Sequence, residues 1–388
     1  MKKLAIITTH PIQYHSPLFA LLAKRANIHS RIFYTWGETV LANKYDPGFN
    51  KVVTWDIPLL DGYDYEFVTN TATKPGSHHY KGICNPNLIN RIDAYEPDAL
   101  LIFGWSFQSH LNILRHYKHK KPVLFRGDST LLDDRPGIRS LMRTIFLRWV
   151  YRHVDVALYV GHENRRYFQK MGLRNKQLVF APHVVDNARF QPTESSLQLA
   201  KQIRAQHDIS KEDFVFLFAG KFEQKKDPLL LIKAFQSLKA VGKVHLVMIG
   251  NGPLESSMKA QAGERVHFID FVNQSAMPSH YQLADCLVLP SAGPGETWGL
   301  AINEAMASGI PVIASDRCGA AADLIDDTKT GKVFQAGNGD ALREAMQWML
   351  DHRSEEVYFK KQLIEKMSVY CLDNLAEVIE KTVNTWPL

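Results

Sequence analysis

A chain of 388 residues with 45% hydrophobic and 22% charged residues can bury two or three domain cores, and it lacks the bias of a disordered, collagenous or membrane-spanning sequence. Its four cysteines, Cys84, Cys286, Cys318 and Cys371, form no CxxC pair, which argues against a disulfide framework or zinc ribbon and fits a reduced, cytosolic setting. The net charge of +6 is unevenly divided: residues 1–190 carry 26 Lys+Arg against 15 Asp+Glu, and the remainder carry 20 against 25, so the two halves are expected to meet different partners. The start, MKKLAIITTHP, has too short an apolar run for a signal peptide. The 16 histidines contain no HxxxH or HExxH, and no metal site is expected.

Leu4–Thr9 reads as a buried strand. It leads through HPIQYH into a helix from Ser16, with Pro17 in the first turn. A strand running straight into a helix opens a Rossmann-like layer, but without GxGxxG no dinucleotide cradle is expected here. In an open α/β sheet such a turn lies at the ligand crevice, which makes His10, Gln13 and Tyr14 candidate contacts for a second substrate. Ile28–Trp36 is the next strand. Tyr45–Tyr63 is turn-rich, aromatic and long for a connection, as functional loops are. Further short strands are expected at Ala99–Gly104, Pro122–Phe125, Val156–Gly161 and Gln177–Ala181. The second of these ends in Arg126-Gly127-Asp128-Ser129, either an ordinary turn or a charged edge of the crevice through Arg126 and Asp128.

The cluster His116–Lys121 and a helix bearing Arg139, Arg143, Arg148 and Arg152 are strongly basic. At about 100° per residue the first two arginines lie nearly opposite the last two. No single basic stripe results, and a solvated helix is favoured over contact with anionic headgroups.

A polar, uneven linker is expected to Asp213. The second domain opens with the strand Phe214–Gly220. Asp227 and Pro228 then mark the start of a helix, leaving Lys221 and Lys226 in the turn, where two cations suit a diphosphate. Leu287–Leu324 then reads as strand, loop, helix and strand. Its helix is apolar nearly all round, so it is buried, yet two polar residues interrupt it, Asn303 and the acid Glu304. A second acid, Glu296, lies at its mouth, and between the two the helix N-terminus offers an anion site. Buried acids need partners. The arrangement suits a ligand with hydroxyls at both ends and phosphate between them, as in a sugar nucleotide.

The LPS preceding this loop, the E-x7-E spacing and the following EAMASGIPVIASD resemble the donor site of retaining glycosyltransferases of family 4. The resemblance implies the GT-B fold, an α/β architecture of two Rossmann-like domains facing across a cleft. It implies that Glu304 bonds the ribose, that Glu296 sits by the sugar ring, and that the amides of Gly299 and Leu300 approach the phosphates. Lys221 stands where the family usually has arginine, giving a point charge rather than a fork. Lys226 matches the family's lysine. The glycine turn at Gly250 and Gly252 is also family-like, and with Gly220 it is assigned to donor binding. HPIQY resembles one bacterial branch. RGDS replaces a histidine common in the family, so that role is not carried over, although Asp128 or Arg126 could fill it. PHVVD resembles the family's PNGVD turn, with His183 and Val184 substituted.

The expected division is therefore an acceptor-side domain over 1–190, a nucleotide-sugar domain over 191–365, and a C-terminal helix over 366–388 crossing back to the first domain. The expected activity is hexose transfer from a nucleotide-diphosphate sugar to an acceptor hydroxyl, with retention and without metal or cofactor, in bacterial polysaccharide or glycolipid synthesis. Glu296, Lys221, Lys226 and Asp128 are the candidate catalytic residues. A nucleotide sugar and a sugar or lipid-linked acceptor are the expected partners, peripheral contact of the basic first domain with an anionic inner membrane face is left open beside the favoured solvated helix, and nucleic acid is not expected. A sugar-nucleotide 2-epimerase or a non-catalytic nucleotide-sugar binder are the alternatives.

Overall fold

The computed structural model describes residues 1–38, 44–46, 51–239 and 243–385. The chain begins β1 (Lys2–Thr8), α1 (Ser16–Ala23), β2 (Ile28–Tyr34), a short ribbon β3 (Lys44–Asp46) and β4 (Lys51–Val53), and β5 (Asp64–Phe67). It continues α2 (Leu88–Tyr95), β6 (Ala99–Phe103), α3 (Gln108–Tyr117), β7 (Val123–Arg126), α4 (Ile138–Tyr151), β8 (Val156–Tyr159), α5 (His162–Lys170) and β9 (Leu178–Phe180). Then come α6 (Asn187–Phe190), α7 (Glu194–Gln206), β10 (Phe214–Ala219), α8 (Pro228–Gln236), β11 (Val244–Ile249), α9 (Glu255–Gln261), β12 (Val266–Ile269) and α10 (Met277–Gln282). The last stretch is β13 (Cys286–Leu289), α11 (Leu300–Ala307), β14 (Val312–Ser315), α12 (Ala321–Leu324), β15 (Gly331–Phe334), α13 (Gly339–Asp351), α14 (Glu356–Val369) and α15 (Leu372–Thr385).

Two compact units result. Met1–Lys44, Pro58–Pro182 and Leu372–Leu388 form the first; Tyr45–Ile57 and His183–Cys371 form the second. The loop expected over Tyr45–Tyr63 is thus divided, and its residues 47–50 lie outside those described. Lys51 pairs with Asp270 at 2.5 Å, and the Thr54 carbonyl accepts from Asn273, which groups this piece with the second unit. The stretch expected as a linker is mostly the 13-residue helix α7. Thr193 caps it, accepting from the Ser196 amide, and Ala200 and Ile203 are buried beneath it. Two apolar anchors in 13 residues are too few to show as a period.

Each unit has its own parallel sheet. The first runs β5-β2-β1-β6-β7-β8-β9, with Ile6 opposite Ile32 on one side and Leu101 on the other. The second runs β12-β11-β10-β13-β14-β15, with Leu217 opposite Val247 and Leu287. The central strands are buried on both faces, as parallel sheets require, so their sequences (LAII, VFLF) are apolar without alternation. In each sheet the strand order reverses beside the first strand, between β1 and β6 and between β10 and β13. Ligands bind at such switch points, outside the carboxyl ends of the strands. In the first unit α15 packs on α1, and Glu380 takes Asn27 at 2.9 Å and Arg25 at 3.6 Å.

His110, which sequence reasoning passed over, ties the ends of β2 and β6 beside the first switch point. Its Nδ1–H faces the carbonyls of Phe103 and Gly104 at 3.1 and 3.0 Å, and its Nε2 lies 2.8 Å from the Thr35 hydroxyl. Burial pushes its pKa from 6.5 down to about 4, so it is neutral at pH 7. The unfolded chain therefore takes up a proton that the folded chain refuses as pH falls from about 6.5 to about 4. Stability should be unaffected by this group above that window and decline by roughly 3 kcal/mol across it. Denaturant midpoints measured from pH 7.5 to pH 4 test this. His110→Gln should lower stability at pH 7 but flatten the acid slope; a variant retaining the full slope would refute the assignment.

Candidate functional site

The second unit's switch point is framed by two loops. The first follows β10, running from Gly220 to Asp227 with a 3-10 turn at Gln224–Lys226. The second follows β13 from Pro290 to Gly299. They are tied through main chain, the Lys225 carbonyl accepting from the Ala292 amide at 2.8 Å. They are also tied through charge: Lys226 Nζ is ion-paired with Glu296 Oε2, and the Ser291 hydroxyl donates to the same oxygen at 3.1 Å. The structure thus brings together two predicted site residues 70 positions apart. Glu296 is 9% exposed, and the ammonium and hydroxyl supply the partners that a buried carboxylate needs.

Gly299 caps α11 with φ of 97°, a left-handed conformation in which glycine carries no Cβ penalty. This turns the chain so that Leu300 starts the helix directly behind the loop, with its first amides at the loop mouth. A Cβ on Gly250 would lie 2.1 Å from the Gly220 carbonyl oxygen, so these two predicted donor-site glycines have a packing reason: the turns after β10 and β11 touch there. Gly252 likewise lies against the Phe222 backbone. Lys221 is half-buried on the β10 loop.

Glu304 is 5% exposed on the buried face of α11. One of its oxygens accepts from the Tyr281 hydroxyl at 2.7 Å. Neighbouring Asn303 is wholly buried; its side chain accepts from Trp298 Nε1 at 2.7 Å and donates to the His183 carbonyl at 3.0 Å. The loop end, the helix and the start of the unit's second segment at His183 are therefore locked together. Sequence reasoning saw Asn303 only as an interruption of an apolar helix and missed Tyr281, Ser291 and Trp298. The one available signal was that two adjacent polar residues, Asn303 and Glu304, occupied a helix otherwise fit for a core.

Cys318 lies beside this site, but burial, and after it the Glu296 charge, push its thiol up to about 12, so it is no nucleophile at neutral pH. Among the described residues there is no group of three or more His, Cys, Asp or Glu able to hold a metal ion.

In the first unit His10 follows β1. Its Nδ1 lies 2.8 Å from the Thr9 hydroxyl and its ring meets Trp36 edge-on at 5.2 Å. Gln13 is buried and Tyr14 half-buried in the same turn. Arg126 requires a correction. It is buried, and its terminal nitrogens donate to the carbonyls of Ala181 and Pro182, both at 2.8 Å. It braces the exit from β9 rather than presenting a guanidinium to an acceptor. Burial lowers its pKa to about 10, while Asp128 nearby raises it, and it stays charged at pH 7. Asp128 itself is half-buried just beyond β7.

Comparison with known proteins adds the following. Residues 200–366 match the family model of Glycosyl transferases group 1. The GDP-mannose-dependent alpha-(1-6)-phosphatidylinositol monomannoside mannosyltransferase of Mycobacterium tuberculosis is 27% identical over 232 residues, 57% of this chain and 58% of that protein. The lipopolysaccharide 1,2-N-acetylglucosaminetransferase of Salmonella typhimurium is 24% identical, over 47% of this chain and 51% of its own length. The chain thus spans less than two thirds of these relatives. Among solved structures, Anabaena HepE in complex with UDP and glucose superposes with a TM-score of 0.71 over 99% of this chain and 100% of that chain, at 15% identity. WaaG, a glycosyltransferase involved in lipopolysaccharide biosynthesis, gives 0.67 over 98% and 99%, also at 15%. The fold is GT-B: two Rossmann-like units, each with a parallel sheet.

Proposed function

We propose that this chain moves a hexose from a nucleotide-diphosphate sugar to an acceptor hydroxyl, with retention and without a metal ion, in the synthesis of a bacterial surface polysaccharide or glycolipid at the cytoplasmic face of the membrane. The observation that carries this reading is the Lys226–Glu296 pair. It places a cation and a carboxylate on the two loops of one switch point, beside the mouth of α11. A diphosphate there would meet Lys226, Lys221 and the amides of Gly299 and Leu300. Glu304 would reach the ribose and Glu296 the sugar ring. Preorganised donors aimed at the leaving diphosphate stabilise the charge that develops as the glycosidic bond breaks. The resemblance to family 4 extends this to a substrate-assisted route. The donor's own phosphate oxygen accepts the acceptor's proton as the new bond forms on the face that the old bond leaves. His10, Gln13 and Tyr14 are the candidate acceptor contacts of the first unit.

A thermal-shift screen of nucleotide sugars tests binding; a ligand at 100 times its Kd should add about 2.7 kcal/mol. With a donor in hand, activity should persist in chelator, and proton NMR should show an α-linked product from an α-linked donor. Loss of activity in chelator with rescue by Mg²⁺ or Mn²⁺ would overturn the metal-free reading. A β linkage, with activity abolished in Asp128→Asn, would make Asp128 the base of an inverting enzyme. Inversion at C2 of the donor without an acceptor would mark an epimerase.

A further inference from the structure

Helix α4 of the first unit is buried on one side only. Leu147, Val150 and Tyr151 join the core, while Ile138, Leu141, Met142, Ile145 and Phe146 are 79, 61, 65, 63 and 44% exposed. At about 100° per residue these five fall on one continuous arc facing away from the core. A helix apolar on both faces is ordinarily buried on both, and a contiguous exposed apolar patch marks an interaction surface.

The four arginines explain themselves against this arc. Arg139 and Arg143 border it on one side and Arg148 on the other, and Arg152 stands at its C-terminal end. They form no single stripe because an apolar stripe runs between them. The segment Ile138–Arg152 contains no carboxylate. At the C-terminal end the patch continues through aromatic rings, with Phe146 stacked on Trp149 at 5.7 Å and edge-on to Trp105 at 5.6 Å. Arg115 of α3 lies over Trp149 and leads into the basic cluster at His116–Lys121.

We propose that this face of α4 docks on an anionic lipid surface. The helix lies in the interfacial plane, its five apolar side chains enter the acyl boundary, and the arginines and the cluster around Arg115 meet the lipid phosphates. Charge complementarity selects this occupant. A second copy docked by the same face would set arginine rows against each other with no acid on the helix between them, whereas anionic headgroups supply counter-charge along the whole face; Asp134, near Arg143, is already paired with Lys170. No described helix is long and apolar enough to span a membrane, and the attachment proposed for this face is peripheral. The inference stands independently of the transfer reaction.

The test is flotation of the full chain with phosphatidylcholine vesicles, with and without phosphatidylglycerol, in the absence of any sugar donor. The chain should float with the anionic vesicles and be released by salt. Leu141→Glu/Ile145→Glu should weaken binding by about tenfold or more, and Arg139→Glu/Arg143→Glu by a similar factor. Both pairs of substitutions lie on exposed positions, so circular dichroism melts should be unchanged. Equal flotation of wild type and variants, or no flotation of the wild type, overturns the proposal. So does a concentration-dependent dimer in sedimentation that the Leu141→Glu/Ile145→Glu variant abolishes, which would assign the face to self-association.

Discussion

Lys226→Met will reduce transfer by about a hundred- to a thousandfold in kcat/KM, the scale set by removing one preorganised charge-stabilising donor. It will also destabilise the protein, by about 3 kcal/mol, because Glu296 is left as a buried carboxylate without its counter-ion. The two effects separate in the double variant Lys226→Met/Glu296→Gln. With both charges gone, the Ser291 hydroxyl can still donate to the amide oxygen, and most of the stability should return. Activity should not return, because neither the cation that meets the leaving diphosphate from this position nor the Glu296 carboxylate beside the sugar ring remains. Paired measurements of kcat/KM and denaturant midpoints decide the matter. If the double variant recovers activity along with stability, the ion pair is a structural strut and the diphosphate is held elsewhere.

Glu304→Ala is expected to weaken binding of the free nucleoside diphosphate by about 1.5–3 kcal/mol, the usual worth of a hydrogen bond to a charged group, or roughly ten- to a hundredfold in Kd. The geometry supplies a control. One Glu304 oxygen is committed to the Tyr281 hydroxyl at 2.7 Å, which holds the carboxylate in place. Tyr281→Phe removes that support while leaving the carboxylate, so it should weaken binding only severalfold. Calorimetry with the nucleoside diphosphate alone, without the sugar, isolates the contact. Unchanged affinity in Glu304→Ala would show that Glu304 serves the helix and not the ligand.

Much of this molecule is determined by local sequence. The apolar runs at Leu4–Ile7 and Val215–Phe218 are strands buried on both faces. Gly299 and Gly309 bound α11 because each sits at positive φ, 97° and 81°. Two acids eight residues apart, one at a helix mouth and one inside the helix, are a local pattern that needs no tertiary knowledge. Short-range periodicity reads these because the forces behind them act within a turn or two of chain.

What only the tertiary structure decided involves partners distant in sequence. Lys226 meets Glu296 across 70 residues and Asn303 meets His183 across 120; no local period encodes either meeting. Arg126, at a strand end facing the crevice by sequence, turns inward because the carbonyls of Ala181 and Pro182 need a donor. Tyr45–Ile57 groups with the second unit through contacts to Asp270, Asn273 and Ser275. The arginines of α4 look like a dispersed, solvated set until the structure shows which apolar face between them is left uncovered. The period of a helix tells which residues share a face, but not whether another element covers that face, because burial is a property of the packed chain and not of the segment.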